Sequence, residues 1–313
     1  MRKCRNSFGS KGEIMSRVAI VMTTMNLKWT KMALPDLIEN TKYIYDLILV
    51  DDCTTPEARQ CILYDLQESY KNSKWLKSVF FEFSLGPEDR RGVAGCWNIG
   101  LRKALERDYE YCIIMNNDIA FPPPNDNKCW LERLVEIGDK NRDYAWISPA
   151  WYWTGEPEAG GIESFKASCW DYAEREKNQI NDGGIGCFFM LRMSDVKWMK
   201  DSEENKGEEI HPGLFDKTSY PTNWEEVDYL IRLRRKTSIK APNKTGVFHS
   251  VCLYHKGSGT TGSTEWHGKV QKDYRVGHVN FCKKWNLPHP NSGFRVHNAI
   301  YEYLQNGKWE KAE

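Results

Sequence analysis

No stretch of about 18 consecutive apolar residues occurs in the chain, so nothing in it reads as a membrane-spanning helix. The opening residues, MRKCRNSFGSKGE, lack the apolar run of about 7–15 residues that marks a secretory signal peptide. None of the ten cysteines forms a CxxC pair, and Cys112, Cys187 and Cys252 sit inside apolar runs, where a free thiol acts as a small hydrophobe. These absences predict a reduced, soluble, cytoplasmic protein and make the sequon at Asn243 accidental. Charge of one sign is also lacking: 44 Lys plus Arg stand against 43 Asp plus Glu, a net +1 that offers no global footprint for nucleic acid. No GxGxxG follows the first predicted strand, which argues against a dinucleotide site, and no GxxxxGK[ST] occurs, which removes a P-loop.

Aromatic side chains are abundant: 13 Trp, 15 Tyr and 12 Phe. Their faces suit the C–H faces of sugars, although the same residues build ordinary cores. At 313 residues the chain can bury a large core, as one α/β domain or a domain with an appendage. Strand-like runs at 17–25, 43–51, 77–83 and 111–115 alternate with helical patterns at about 30–40, 56–70 and 92–107. Such alternation predicts βαβ units and a Rossmann-like, mainly parallel sheet flanked by helices. Further on, a helix is expected over 125–139, strands over 144–148, 185–192 and 247–254, and a helix over 223–236. Residues 151–184, rich in Gly and aromatics, read as a long irregular insertion. Two helices flanking Pro288 and Pro290 are expected in the tail, which would make a C-terminal helical extension.

Chemistry is concentrated where strands end. The run Tyr111-Cys-Ile-Ile-Met stops abruptly at Asn116, Asn117 and Asp118. In an open α/β sheet ligands bind at the carboxyl ends of the strands. A carboxylate beside two amides is hard oxygen chemistry suited to Mg²⁺ or Mn²⁺ and to phosphates; a plain Asn/Asp turn is the alternative. Strand one ends in Thr23-Thr24-Met25-Asn26 and strand two in Asp51-Asp52-Cys53-Thr54, and an acidic residue after a second strand commonly reads a nucleoside. With no P-loop, a diphosphate must be held by a metal and side chains, with Asp118 as the natural anchor. Gly92-Val-Ala-Gly-Cys-Trp-Asn98-Ile-Gly100 opens a helix from which Asn98 could reach that edge, or which simply packs on the sheet. Trp224-Glu225-Glu226-Val227-Asp228 sets three carboxylates in a helix start, where the dipole alone would favour them. With Trp224, Val227, Leu230 and Ile231 buried, Glu225 points away and Glu226 and Asp228 lie on opposite shoulders, so Glu226 is the better placed base. His255 ends an apolar strand ahead of a Gly/Ser/Thr loop, with His249 its competitor.

These pieces, in this order, resemble the nucleotide-sugar-dependent glycosyltransferases of the GT-A fold, in particular the inverting family 2 type and its rhamnosyltransferase-like subset. The likeness runs from about Val18 to Thr261. Thr23-Thr24-Met25-Asn26 stands where the family has Pro-Thr-Tyr-Asn, and Val50-Asp51-Asp52-Cys53-Thr54 matches Val-Asp-Asp-x-Ser/Thr. Cys96-Trp97-Asn98-Ile99-Gly100 matches Ala-Arg-Asn-x-Gly, and Asn116-Asn117-Asp118 is the Asn-Asn-Asp form of the metal motif Asp-x-Asp. Glu225-Glu226 stands for the Glu-Asp pair, with Glu at the base position, and Tyr254-His255-Lys256-Gly257-Ser258 for Tyr-His-x-Gly-Ser.

Residues 1–16 read as a polar, disordered leader and 263–313 as the helical extension, and the resemblance implies a GT-A domain over 17–262 (nucleotide half 17–120, acceptor half 121–262). It implies transfer of a sugar, with inversion, from a nucleotide-diphosphate donor to an acceptor hydroxyl. Thr23, Thr24, Asn26, Asp52, Asn98 and Asn117 would hold the nucleotide sugar, and Asp118 and His255 would bind Mn²⁺ or Mg²⁺. Glu226 would act as base while Asp228 orients the acceptor. A glycan acceptor is the expectation, recognised by Trp146, Trp151, Tyr152, Trp153 and Trp170 and by the C-terminal helices. A modified nucleic-acid base, approached through the basic run 232–236 and Lys240, is an alternative acceptor. A nucleotidyltransferase and a non-catalytic carbohydrate-binding protein are the rival readings, and the missing glycine-rich phosphate loop after strand one counts against the first.

Overall fold

The structure, a computed structural model, describes residues 7–8, 16–24, 27–52, 54–84, 91–152, 161–184, 186–201, 214–217, 219–220, 224–234, 237–238, 241–242, 244–255 and 264–288. The first half is βαβ: β1 (Ser7–Phe8), β2 (Val18–Thr24), α1 (Leu27–Asn40), β3 (Tyr45–Asp51), α2 (Pro56–Asn72), β4 (Leu76–Glu82), α3 (Gly92–Leu105) and β5 (Tyr111–Met115). Then come β6 (Ile119–Ala120), α4 (Trp130–Lys140), β7 (Tyr144–Tyr152), α5 (Gly161–Arg175), β8 (Ile180–Asp182), β9 (Phe188–Arg192) and α6 (Met193–Asp201). The last described elements are α7 (Glu225–Arg234), β10 (Thr237–Ser238), β11 (Ala241–Pro242), β12 (Lys244–His255) and α8 (Thr264–Lys284).

A ten-stranded sheet runs β1-β4-β3-β2-β5-β9-β7-β12-β6, with β8 also paired to β12. The sheet is mixed, so the expectation of a mainly parallel one is met only in part. Pairings β4-β3, β3-β2, β2-β5 and β7-β12 are parallel, but β1-β4, β5-β9, β9-β7, β12-β6 and β12-β8 are antiparallel. Two of these come from β9, which returns between β5 and β7 in the opposite sense. Because it reverses direction twice across that insertion, β7 and β12 still point the same way as β2, β3 and β5. All five therefore deliver their carboxyl ends to one edge, and β9 delivers its amino end there.

Alternation with period two explains why these runs are apolar throughout. Ile20 and Met22, Leu47 and Leu49, Ile113 and Met115 face one core with α1, α2 and α4. Val21, Ile48 and Val50, Cys112 and Ile114 face the other with α3, α6 and α7. The stretch expected to be irregular contains α5 and β8; α5 sets Phe165 and Cys169 against Cys252 and Tyr254 of β12. Residues 7–8, expected within a leader, pair with β4. Of the two expected tail helices, α8 is described and 289–313 lie outside the described residues. Among the described residues no helix is long and apolar enough to cross a membrane.

One glycine sets how closely α3 approaches the sheet: a Cβ on Gly100 would stand 2.1 Å from Val21 Cγ1. Val21 lies in the middle of β2 and cannot yield without moving the strand. Gly100→Ala should therefore cost about 1–3 kcal/mol of stability in urea unfolding; a loss under about 0.5 kcal/mol, typical of open surface positions, would contradict the packing described.

Candidate active site

Asp118 follows β5 and precedes β6, and β6 lies antiparallel on the end of β12, with Ile119 opposite His255 and Ala120 opposite Tyr254. That register brings two residues distant in sequence together. Asp118 Oδ1 stands 3.3 Å from His255 Nε2, with the Asp118 side chain buried and the imidazole nearly so. Next to them, Asn116 N donates to the Cys187 carbonyl at 2.9 Å, continuing the β5-β9 ladder by one step. Asn116 Oδ1 is buried and receives no hydrogen bond from the described residues.

Cys187 links this corner to α7. Burial pushes its thiol well above the usual range, and the charges of Asp118 and Glu226 push it further, so both carboxylates lie within electrostatic reach of one sulfur. Trp151 ends β7 with 43% of its surface exposed, its ring 5.0 Å from the His255 imidazole. The neighbouring Gly186 leaves room for Glu226: a Cβ there would lie 2.8 Å from Glu226 Cγ.

Glu225 and Glu226 open α7 directly after Trp224, whose φ of 73° lies in the left-handed region that bulky side chains avoid. The helical wheel placed Glu225 outward, but it is 4% exposed. The reason is that α7 is covered on two sides, by Tyr229, Leu230 and Leu233 in one core and by Trp224 and Ile231 in another. Glu226 keeps some surface, yet its Oε2 is buried, and neither Glu225 Oε2 nor Glu226 Oε2 has a hydrogen-bond partner among the described residues. Both carboxyls are raised above the ordinary glutamate value. Burial is the larger cause for each, and for Glu225 the charge of Glu226 adds to it.

Several residues expected to touch a nucleotide sugar are turned inward instead. Asn98 is one of them: its Nδ2 donates to the Phe215 carbonyl at 2.7 Å and its Oδ1 accepts from Phe215 N at 2.8 Å. Both ends of the amide thus fix Phe215, whose ring stacks on Tyr229 of α7 at 4.3 Å. Asp228, expected to orient the acceptor, also faces inward. It is fully buried, ion-paired with Arg232 of its own helix at 2.8 Å and with Lys284 of α8 at 3.0 Å, and accepts from Trp285 Nε1 at 3.1 Å.

Thr24 is buried and donates to Asp51, which also accepts from Arg59, Ser84 and Thr54. Asp52 Oδ1 accepts from the backbone of Arg91 and Gly92 and so anchors the start of α3. Asn117 Nδ2 donates to Thr30 on α1 at 2.9 Å. Thr23 is half-buried at the end of β2, and Asn26 lies outside the described residues.

Of the aromatics expected at an acceptor site, Trp146 is core, stacked on Phe189, and Trp170 donates to the Pro123 carbonyl. Trp153 and the Tyr152 side chain lie outside the described residues. His249 is held by Tyr172 and Asn181 and takes no part in this corner. Arg232, first in the basic run that favoured nucleic acid, is 9% exposed and engaged with Asp228 and the Leu214 carbonyl. The side chains of 234–236 and of Lys240 are not among those described. Cys187 and Gly186 were read only as parts of a strand; nothing in their local pattern distinguishes them.

The Asp118 carboxylate and the spacing to His255 suit a small hard cation, while an imidazole is a softer ligand than such ions usually take. In an octahedral shell with bonds of about 2.1 Å, neighbouring ligands stand about 3 Å apart, close to the Asp118–His255 separation. Among the described residues no group of three or more His, Cys, Asp or Glu gathers as a metal site. Two protein ligands are nonetheless what Mg²⁺-type sites use when phosphates and water complete the shell.

No family model and no curated protein matches the chain. Among solved structures it is similar to a mycobacterial protein, with a TM-score of 0.47 and 9% identity over 88% of this chain and 77% of that one. It is similar also to a proposed nucleotide-diphospho-sugar transferase from Desulfovibrio desulfuricans G20, with a TM-score of 0.35 and 12% identity over 84% of this chain and 97% of that one. Likenesses this distant carry nothing about activity.

The raised Glu225 carboxyl has a consequence for stability. A carboxyl whose folded pKa exceeds its unfolded value favours folding fully below about pH 4.5, and that contribution is lost as pH rises through the folded value. Glu225→Gln should therefore raise stability on the order of 1 kcal/mol at pH 7, with the gain vanishing near pH 4. Denaturant titrations at the two pH values check this; a loss of stability at pH 7 would show that the charge is compensated.

Proposed function

We propose that the protein is a metal-dependent glycosyltransferase of GT-A type, moving a sugar with inversion from a nucleotide-diphosphate donor to an acceptor hydroxyl. The observation that carries this reading is the meeting of Asp118 and His255 at the strand edge, with the buried, partnerless Glu226 Oε2 reached through Cys187. Asp118 and His255 would hold Mg²⁺ or Mn²⁺, which supplies charge neutralisation for the departing diphosphate. Asn116 Oδ1, a buried acceptor, supports a hydrated cation or a donor hydroxyl beside them.

Glu226 accepts the proton of the acceptor hydroxyl. That oxygen forms its bond to the anomeric carbon as the bond to the phosphate oxygen breaks, and the nucleoside diphosphate leaves with the electron pair. Burial favours this role, because a carboxylate raised from its ordinary value is a stronger base near neutral pH. Trp151, exposed beside His255, offers an aromatic face for a sugar ring and supports a glycan substrate. Asp228 has no part in the chemistry, and Asn98, Thr24, Asp52 and Asn117 act as the frame that fixes the edge.

The test is thermal denaturation with Mn²⁺ and a panel of nucleoside diphosphates and their sugars. A ligand at 100 times its dissociation constant stabilises by about 2.7 kcal/mol, so the matching nucleotide should raise Tm by several degrees and only with the metal. Asp118→Ala should abolish that shift. Glu226→Gln should keep it while transfer falls by about 100-fold or more. A metal-independent shift that survives Asp118→Ala would overturn the assignment.

A further inference from the structure

The C-terminal helix α8 lies over the start of α7. The Trp224 side chain, 2% exposed, stacks face to face on His278 at 4.5 Å with an interplanar angle of 8°. It meets Phe281 at 5.0 Å and Tyr274 at 5.7 Å, so three side chains spaced along one face of α8 surround a single indole. The backbone of the same residue is left-handed, with φ at 73°, and Trp224 O accepts the first helical bond of α7 from Asp228 N at 2.9 Å. A bulky residue stays in that region only when its surroundings over-determine it. Glu225 and Glu226 follow immediately, so the direction of their side chains depends on that turn.

A second fastening lies one helical turn further on. Lys284 and Trp285 close on Asp228, and Lys284 reaches Asp216 at 3.6 Å. Asn280 Nδ2 donates to the Ser219 carbonyl at 2.8 Å. The clamp also reaches toward the candidate base: the Tyr274 phenol is raised chiefly by burial and further by the charge of Glu226.

We propose that α8 is a positioning element of the candidate active site, its Tyr274, His278 and Phe281 rings fixing Trp224 in the left-handed conformation that aims Glu226 at the Cys187 corner. The consequence for catalysis rests on Glu226 being the base, where a displacement of about 1 Å is enough to cost about 100-fold in rate. The geometry itself does not need that reading and can be tested without a substrate.

The experiment is a ¹³C NMR titration of the full chain labelled at glutamate Cδ, with the Glu226 resonance assigned by its loss in Glu226→Gln. Trp224→Ala should free the carboxyl to water and lower its midpoint by about one pH unit or more toward the unburied value. Trp224→Phe, which keeps a ring for the clamp, should stay within about 0.3 unit of the parent. Trp224→Gly, which tolerates the left-handed backbone but has no ring, should titrate like Trp224→Ala. The Mn²⁺-nucleotide thermal shift should persist in all three, since the Asp118–His255 corner is untouched.

An unchanged Glu226 midpoint in Trp224→Ala, or a parent-like one in Trp224→Gly, would overturn the proposal. If Trp224→Ala does not fold, Phe281→Leu is read in the same way. Absence of any nucleotide shift in the parent protein would remove the glycosyltransferase reading while leaving this titration decisive for the clamp.

Discussion

The contact between Asp118 and His255 is the constraint on which the rest of the account depends. It exists because β6, only two residues long, pairs antiparallel with the last two residues of β12. A single-residue slip of that register would turn His255 to the other face of the sheet and separate the two side chains. The long β12 is held in place along its length by β7 and β8 and covered by α5, so the register of its last residues is set by interactions far from the site. The Asp118–His255 corner is thus a product of the sheet from β7 to β6.

Around this corner the protein separates frame from chemistry. Polar side chains at the strand ends divide into those that bond the protein's own backbone and those left with buried, partnerless atoms. Asn98 and Asp52 belong to the first kind, and Asn117 joins them through the Thr30 hydroxyl: each links elements that must stay in register for the edge to exist. Asn116 and Glu226 belong to the second, together with Glu225. Burying a polar atom without a partner costs free energy, and sites where that cost persists are where a ligand is expected to supply the missing partner. The raised Glu225–Glu226 pair has the same character: burial holds two carboxyls side by side in an arrangement unfavourable to their charge.

The left half of the fold was legible from sequence because its parallel strands are buried on both faces and stand out as apolar runs ended by polar clusters. The position of Asp118 after β5, and of His255 at the end of β12, followed from the same pattern. The insertion was misread because its glycines and aromatics masked a helix whose Phe165, Cys169 and Ala173 do recur at helical spacing. The roles of Asn98 and Asp228 were out of reach, since their partners Phe215 and Trp285 lie 117 and 57 residues away. The wheel misplaced Glu225 because it assumed one buried face, and α8, which covers another, cannot be placed from the α7 sequence alone. The left-handed turn at Trp224 left no local signal, for a tryptophan is an unusual occupant of that conformation.

The most direct measurement of the central claim is a crystal of the protein grown with Mn²⁺ and the nucleotide that stabilises it, examined by anomalous scattering at the manganese edge. The account predicts one manganese peak bonded to both Asp118 and His255, in contact with the diphosphate, with Glu226 across the Cys187 corner. A nucleotide bound with its metal at any other group of side chains, or bound at this edge with no metal, would contradict it.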